Sequence, residues 1–155
     1  MKLIFVIFIS LCIAGVGYIY FRKVHKKTAF YNDFLSFCEE IETEIGFFQN
    51  KINAILEKQS YKSSFQGLLD SLKTKTHQEF LKTQSFLTQN EQTEILLFFQ
   101  KLGRANSETE IKEIQNHKEK LKQKINNLLN FEFKKSKLKF NLTICLSVFV
   151  FIILL

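Results

Sequence analysis

Two runs without a charged side chain bracket this sequence, and they constrain it more than anything between them. Leu3–Phe21 covers nineteen residues and Phe140–Leu155 sixteen. As helices rising about 1.5 Å per residue they reach about 28 and 24 Å, against a hydrocarbon core of about 30 Å. The first run is long enough to cross. The second becomes so with Leu138 and the snorkelling stems of Lys137 and Lys139. A cleaved leader would carry its charges ahead of the apolar run and a small-residue cleavage site after it. Here only Lys2 precedes, four basic residues follow, and Gly15-Val16-Gly17 lies inside the run. The segment therefore reads as an uncleaved anchor. Transmembrane helices are expected at 3–21 and 138–155, with a helical domain at 28–133 between them.

The formal net charge of +7 raises nucleic-acid binding, and the location of the charge argues against it. Arg22, Lys23, Lys26 and Lys27 follow the first apolar run, and Lys134, Lys135, Lys137 and Lys139 precede the last. Between Thr28 and Phe133 there are thirteen basic and fifteen acidic residues, a net −2. The basic excess belongs to the borders of the two runs, where it acts as a topology signal. Both collars want the cytoplasmic side, so the middle domain is expected in the cytoplasm, with both anchors crossing away from it. No nucleic-acid partner is expected.

The interior reads as all-α. The chain has no Pro, and no alternation of strand period runs longer than four residues. From Thr28 to Lys58 apolar residues recur at Phe34, Cys38, Ile41, Ile45, Phe48, Ile52 and Ile55, a coiled-coil-like seam. With no Gly or Pro in between, this helix continues directly from the first anchor. A short helix after Ser60 buries Tyr61, Phe65, Leu68, Leu69 and Leu72. Lys73–Thr76 is a turn, and Thr76–Phe86 a second short helix with Phe80 and Leu81 inward. Thr88-Gln-Asn-Glu91 is a capping box, in which each end residue satisfies a backbone N–H of the other. It opens a helix through Ile95, Leu96, Phe98, Phe99 and Leu102, and Gly103 supplies the positive φ that a helix C-cap favours. Ser107-Glu108-Thr109-Glu110 is a further capping box. It starts a helix with a stripe at Ile111, Ile114, Leu121, Ile125 and Leu128, running without Gly or Pro into the terminal apolar run. The fold expected is a small helical bundle between two terminal transmembrane helices, with long terminal helices running into the membrane.

Chemistry is sparse. His25, His77 and His117 are dispersed, without an i,i+4 pair or a neighbouring Cys, so no metal site is expected. No phosphate-binding glycine loop and no nucleophile motif occurs. Cys12, Cys38 and Cys145 show no CxxC spacing and read as buried small apolar residues. The spans carry no ionisable side chain other than Cys that would mark an embedded active site. No cofactor and no enzymatic activity are expected. The cluster Glu39, Glu40, Glu42 and Glu44 lies off the seam, where it is a solvated face or a docking surface for a basic partner.

Ile41-Glu-Thr-Glu-Ile45, Phe98-Phe99-Gln-Lys-Leu102-Gly103 and the long last helix ending in an apolar run resemble the stage III sporulation protein AB family. The resemblance covers essentially the whole chain. Ile41, Glu42, Glu44 and Ile45 match its LE-x-EI motif, Leu102 and Gly103 its LG turn, and Ile114 the isoleucine that follows. Asn106 and Glu110 stand where the family commonly has Asp and Gln, and Lys51-Ile52 where it often has Pro-Leu. The resemblance implies an N-terminal anchor, a small all-helical cytoplasmic domain and a C-terminal anchor. It also implies similarity to the platform protein of type II secretion and type IV pilus systems. The implied role is a membrane component of the channel complex between mother cell and forespore, in the mother-cell membrane, coupled to a secretion-type cytoplasmic ATPase. Docking is then expected on Glu39, Glu40, Glu42 and Glu44, with Leu102 and Gly103. The rival is a membrane-anchored scaffold or homo-oligomeric tether unrelated to sporulation, mating through an exposed Phe34–Ile55 seam between chains.

Overall fold

The computed structural model describes residues 2–45, 60–103 and 107–154. All its regular elements are helices, and no strand occurs among the described residues. In chain order they are α1 (Lys2–Thr43), α2 (Ser64–Lys73), α3 (His77–Thr83), α4 (Gln89–Lys101) and α5 (Ser107–Asn127). A π-helical stretch (Leu128–Phe133) then leads without a break into α6 (Lys134–Leu154). The architecture is the all-α one expected, with two long terminal helices flanking a small helical region. The π-helical stretch has no antecedent in the sequence reading, because nothing in Leu128–Phe133 distinguishes it from ordinary helix.

Two compact units divide the chain. One takes Met1–His25 with Asn127–Leu155, the other Lys26–Asn126.

In the first unit the outer part of α1 and α6 lie side by side. A Cβ placed on Gly17 would run into the Thr143 hydroxyl and lie 3.0 Å from its Cβ, so this crossing requires glycine. Four residues further along α1, the Phe21 ring stacks on Phe140 (centroids 5.6 Å, 25°) and meets Phe133 at 5.6 Å. Residue numbers rise along α1 while their partners fall along α6, so the pairing is antiparallel. The Lys139 ammonium lies 4.7 Å from the Tyr20 ring centroid. The remaining apolar surface faces outward: Phe8, Leu11, Ile19, Phe149 and Ile152 are all well over half exposed. Both terminal helices are long and apolar enough to cross a membrane, and little of either apolar stretch is buried within the chain. Cys12 and Cys145 are exposed on these helices, contrary to the buried role expected of them; only Cys38 is buried. The reason is that the apolar faces carrying them have no protein partner.

The second unit is built on phenylalanine. Phe30, Phe34, Phe37 and Phe65 are fully buried. Phe34 stacks on Phe65 (5.3 Å, 25°) and Phe99 (5.8 Å, 13°) and meets Phe98 edge-on at 5.1 Å. Such offset and edge contacts add about 0.5–1.5 kcal/mol per pair beyond burial. The described part of the seam, Phe34, Cys38, Ile41 and Ile45, is buried inside the chain; Phe48, Ile52 and Ile55 lie outside the described residues. Burial and the nearby carboxylates push the Cys38 thiol far above its ordinary range, so it stays protonated and inert.

The short elements follow local chemistry. The α2 N-cap is Ser63, whose hydroxyl accepts from Phe65 N–H. Phe65, Leu68 and Leu69 are buried as expected, while Tyr61 precedes the helix and is half-buried. The turn at Lys73–Thr76 forms with Lys75 at φ 58°. The helix expected at Thr76–Phe86 is shorter, His77–Thr83, because Gln84–Leu87 turns and buries Phe86 and Leu87. At α4 both hydrogen bonds of the Thr88–Glu91 capping box are made. Gly103 has φ 82°, the left-handed conformation expected of it.

Candidate functional site

Glu39, Glu40 and Glu42 lie in the last turns of α1, and Glu44 directly follows it. Glu42 accepts from Lys118 Nζ at 2.5 Å and from Gln115 Nε2 at 2.7 Å, both on α5. The Lys118 hydrogen bond, then the Gln115 bond, hold its carboxyl below the ordinary carboxylate range. Glu40 accepts from the Tyr61 hydroxyl at 2.5 Å, and burial together with that bond raises the phenol's pKa well above normal. Glu39 lies 3.9 Å from Lys122, both about half exposed. Glu44 is half-buried. Glu39, Glu40 and Glu42 thus engage partners in their own chain, and they stitch α1 to α5 and to the segment entering α2.

Leu102 and Gly103 lie elsewhere, at the end of α4. The Gly103 N–H donates to the Glu110 carboxylate, which tethers the helix end to the first turn of α5. The Ser107 side chain lies outside the described residues. Leu102 lines a cleft of about 560 Å3 between α4 and α5. None of the four predicted docking glutamates lines it. Its floor is Phe34 with Tyr31, and its walls include Leu97, Phe98, Ile114 and His117. His117 lies 4.4 Å from Phe98, near parallel, and 5.3 Å from Phe34. Burial, then the Lys120 charge, push its pKa down to about 4, so its imidazole is neutral at pH 7. Its Nε2 is buried without a hydrogen-bond partner among the described residues.

Beside the cleft is a charge cluster that sequence reasoning missed. Glu91 pairs with Lys27 at 3.0 Å and Lys124 at 3.2 Å, and Lys124 also reaches Glu94 at 3.3 Å. Lys124 lies 4.9 Å from the Tyr31 ring centroid. Burial would raise the Glu91 pKa. The Thr88 backbone N–H and the Lys27 and Lys124 charges outweigh that and hold it at about 2. Lys27, assigned by sequence to the first basic collar, is thus spent in an ion pair inside the second unit. Lys26 is exposed on the same unit; Arg22, Lys23, Lys134, Lys135, Lys137 and Lys139 are exposed on the first.

A sequence signal for His117 did exist. The α5 stripe steps from Ile114 to Leu121, and the missing intermediate position is 117 or 118. Both are used, a helical step of about 100° apart: His117 enters the cleft and Lys118 meets Glu42. The Lys27–Glu91–Lys124 cluster had no comparable signal, since its members come from three helices. No group of three His, Cys, Asp or Glu side chains is placed to hold a metal among the described residues.

Fold and site together define an all-α protein whose terminal helices are long and apolar enough to cross a membrane, carrying a small helical unit with an aromatic cleft. The family described as stage III sporulation protein AB matches residues 2–155, and the chain belongs to it. That family is not a known enzyme family. No curated protein and no solved structure matches the chain.

Proposed function

We propose that this protein is a membrane-embedded platform subunit of a sporulation channel between mother cell and forespore. In this reading α1 and α6 cross the mother-cell membrane near 3–21 and 138–155. The 28–133 region is the cytoplasmic domain and holds a secretion-type ATPase. The observation that carries the reading is the antiparallel Gly17–Thr143 pairing of two outward-facing apolar helices in a chain of the stage III sporulation family. Exposed apolar surface on that scale is tolerated by lipid and not by water.

The ATPase contact uses the outward parts of the predicted surface. Glu39 is half exposed, Leu102 edges the cleft with the exposed Gly103 next to it in the chain, and Leu97 stands 51% exposed on the rim. The burial of Phe34, Cys38, Ile41 and Ile45 within the chain argues against a tether that mates through that seam.

The test is co-purification of the full chain in nanodiscs with the cell's own secretion-type ATPase. Glu39→Lys and Leu97→Asp are each expected to reduce recovery about tenfold, the size of one interface residue worth more than 1 kcal/mol. Their helix content should be unchanged. Recovery equal to wild type in both would remove the docking role, and normal sporulation in a deletion strain would remove the channel role.

A further inference from the structure

We infer that the level where the middle of α1, at Arg22 and Lys23, meets the start of α6 forms a binding surface for the phosphate headgroup of an anionic phospholipid. The inference rests on the membrane reading above and adds a ligand to it.

Apart from Lys2, the first unit carries Arg22, Lys23, Lys134, Lys135, Lys137 and Lys139 against a single carboxylate, Glu132. All six cations are exposed. Among the described residues none of the six is in an ion pair; the carboxylates that pair do so in the second unit. In the second unit Lys27, Lys73, Lys118, Lys122 and Lys124 pair with carboxylates, whereas the first unit gathers its six cations around a ring cluster with Glu132 as its one acid.

Packing puts the two groups at one level. Phe21, which immediately precedes Arg22 and Lys23, touches Phe133, which immediately precedes Lys134 and Lys135. Phe21 also stacks on Phe140, next to Lys139, and Lys139 itself reaches across to the Tyr20 ring. Cations from both helices therefore surround one ring cluster. Directly beyond it the helices turn apolar and outward, with Ile19 and Leu142 more than half exposed. A ligand matching this surface is an anion with an apolar tail: a phosphodiester opposite the guanidinium and ammonium groups, with acyl chains along Ile19 and Leu142. A free phosphate uses only the first half, and a nucleic acid leaves the apolar half bare. Each basic side chain near an anionic lipid surface strengthens attachment by about fivefold.

The experiment uses the delipidated full chain in mixed micelles of phosphatidylglycerol and phosphatidylcholine, with retained lipid counted by native mass spectrometry. Wild type is expected to retain phosphatidylglycerol at least about tenfold over phosphatidylcholine. The variant Arg22→Gln/Lys23→Gln/Lys134→Gln/Lys137→Gln should lose that preference. A variant with the same charge change in the second unit, Lys62→Gln/Lys82→Gln/Lys101→Gln/Lys112→Gln, should keep it. Inorganic phosphate should displace no lipid. Equal retention of the two lipids, loss of preference in both variants, or displacement by phosphate or by a single-stranded oligonucleotide would each overturn the assignment. A chain that stays monodisperse in buffer without detergent would overturn the membrane reading itself, an outcome distinct from the others.

Discussion

His117 lies almost face to face with Phe98, ring centroids 4.4 Å apart and planes 23° from parallel. The stack keeps the imidazole neutral, with its pKa lowered from 6.5 to about 4 by burial and by Lys120. The unfolded chain binds a proton at this residue that the folded chain refuses. Stability from this source is therefore complete above pH 6.5 and declines as the pH falls toward 4. Between pH 7 and 5 the loss is about 2 kcal/mol. His117→Phe preserves the stack and removes the slope. Urea midpoints of the full chain in nanodiscs at the two pH values measure this, and an unchanged slope in the variant would refute it.

Glu91 titrates in a lower window. Its pKa falls from 4.5 to about 2 in the folded protein. The stability it contributes is present above pH 4.5 and is lost as the pH drops through about 2. Glu91→Gln takes the carboxylate from Lys27, whose side chain is 13% exposed, and leaves Lys124, 29% exposed, with Glu94 alone. The expected loss at pH 7 is about 3 kcal/mol, the low end for breaking a buried pair. The variant should also lack the acid transition between pH 4.5 and 2. Circular dichroism along a urea series at pH 7 and at pH 3 reads both effects.

The acidic turn of α1 contains one strong fastener and one weak one. A double-mutant cycle on Glu42→Gln and Lys118→Met should return a coupling of about 1–2 kcal/mol, since both side chains are largely buried and 2.5 Å apart. The same cycle on Glu39 and Lys122, at 3.9 Å and half exposed, should give about 0–0.5 kcal/mol. Equal couplings would contradict the assignment of Glu42 as the structural member.

Gly103 has a positive φ that other residues adopt only with strain. Gly103→Ala should destabilise the chain by about 1 kcal/mol, seen as a lower urea midpoint. An unchanged midpoint would mean that the turn relaxes at no cost.

Gly17 and Gly15 offer a matched pair of substitutions. A Cβ at Gly17 collides with Thr143, whereas one at Gly15 meets nothing within 4 Å. Gly17→Leu should abolish cross-linking between cysteines introduced at positions 20 and 139 in a Cys-free background, and Gly15→Leu should leave it intact. Cross-linking that survives Gly17→Leu would show that the helices are not held by this crossing.

What the sequence alone determined is local or compositional. The Thr88–Glu91 cap, the Gly103 stop and the Lys73–Thr76 turn depend on residues a few positions apart, whose geometry the backbone itself enforces. The two apolar runs and their basic borders are equally legible, because hydropathy and charge need no partner to be counted. The aromatic core was visible only as a seam with spacings of three and four. Tertiary structure decided the rest. Glu42 meets Lys118 across 76 positions of chain, Lys27 leaves its collar for Glu91, and His117 rather than Lys118 turns into the cleft. Each outcome depends on how one helix is rotated against another. That rotation is set by the summed packing of Phe30, Phe34, Phe37 and Phe65, a quantity carried by no single motif.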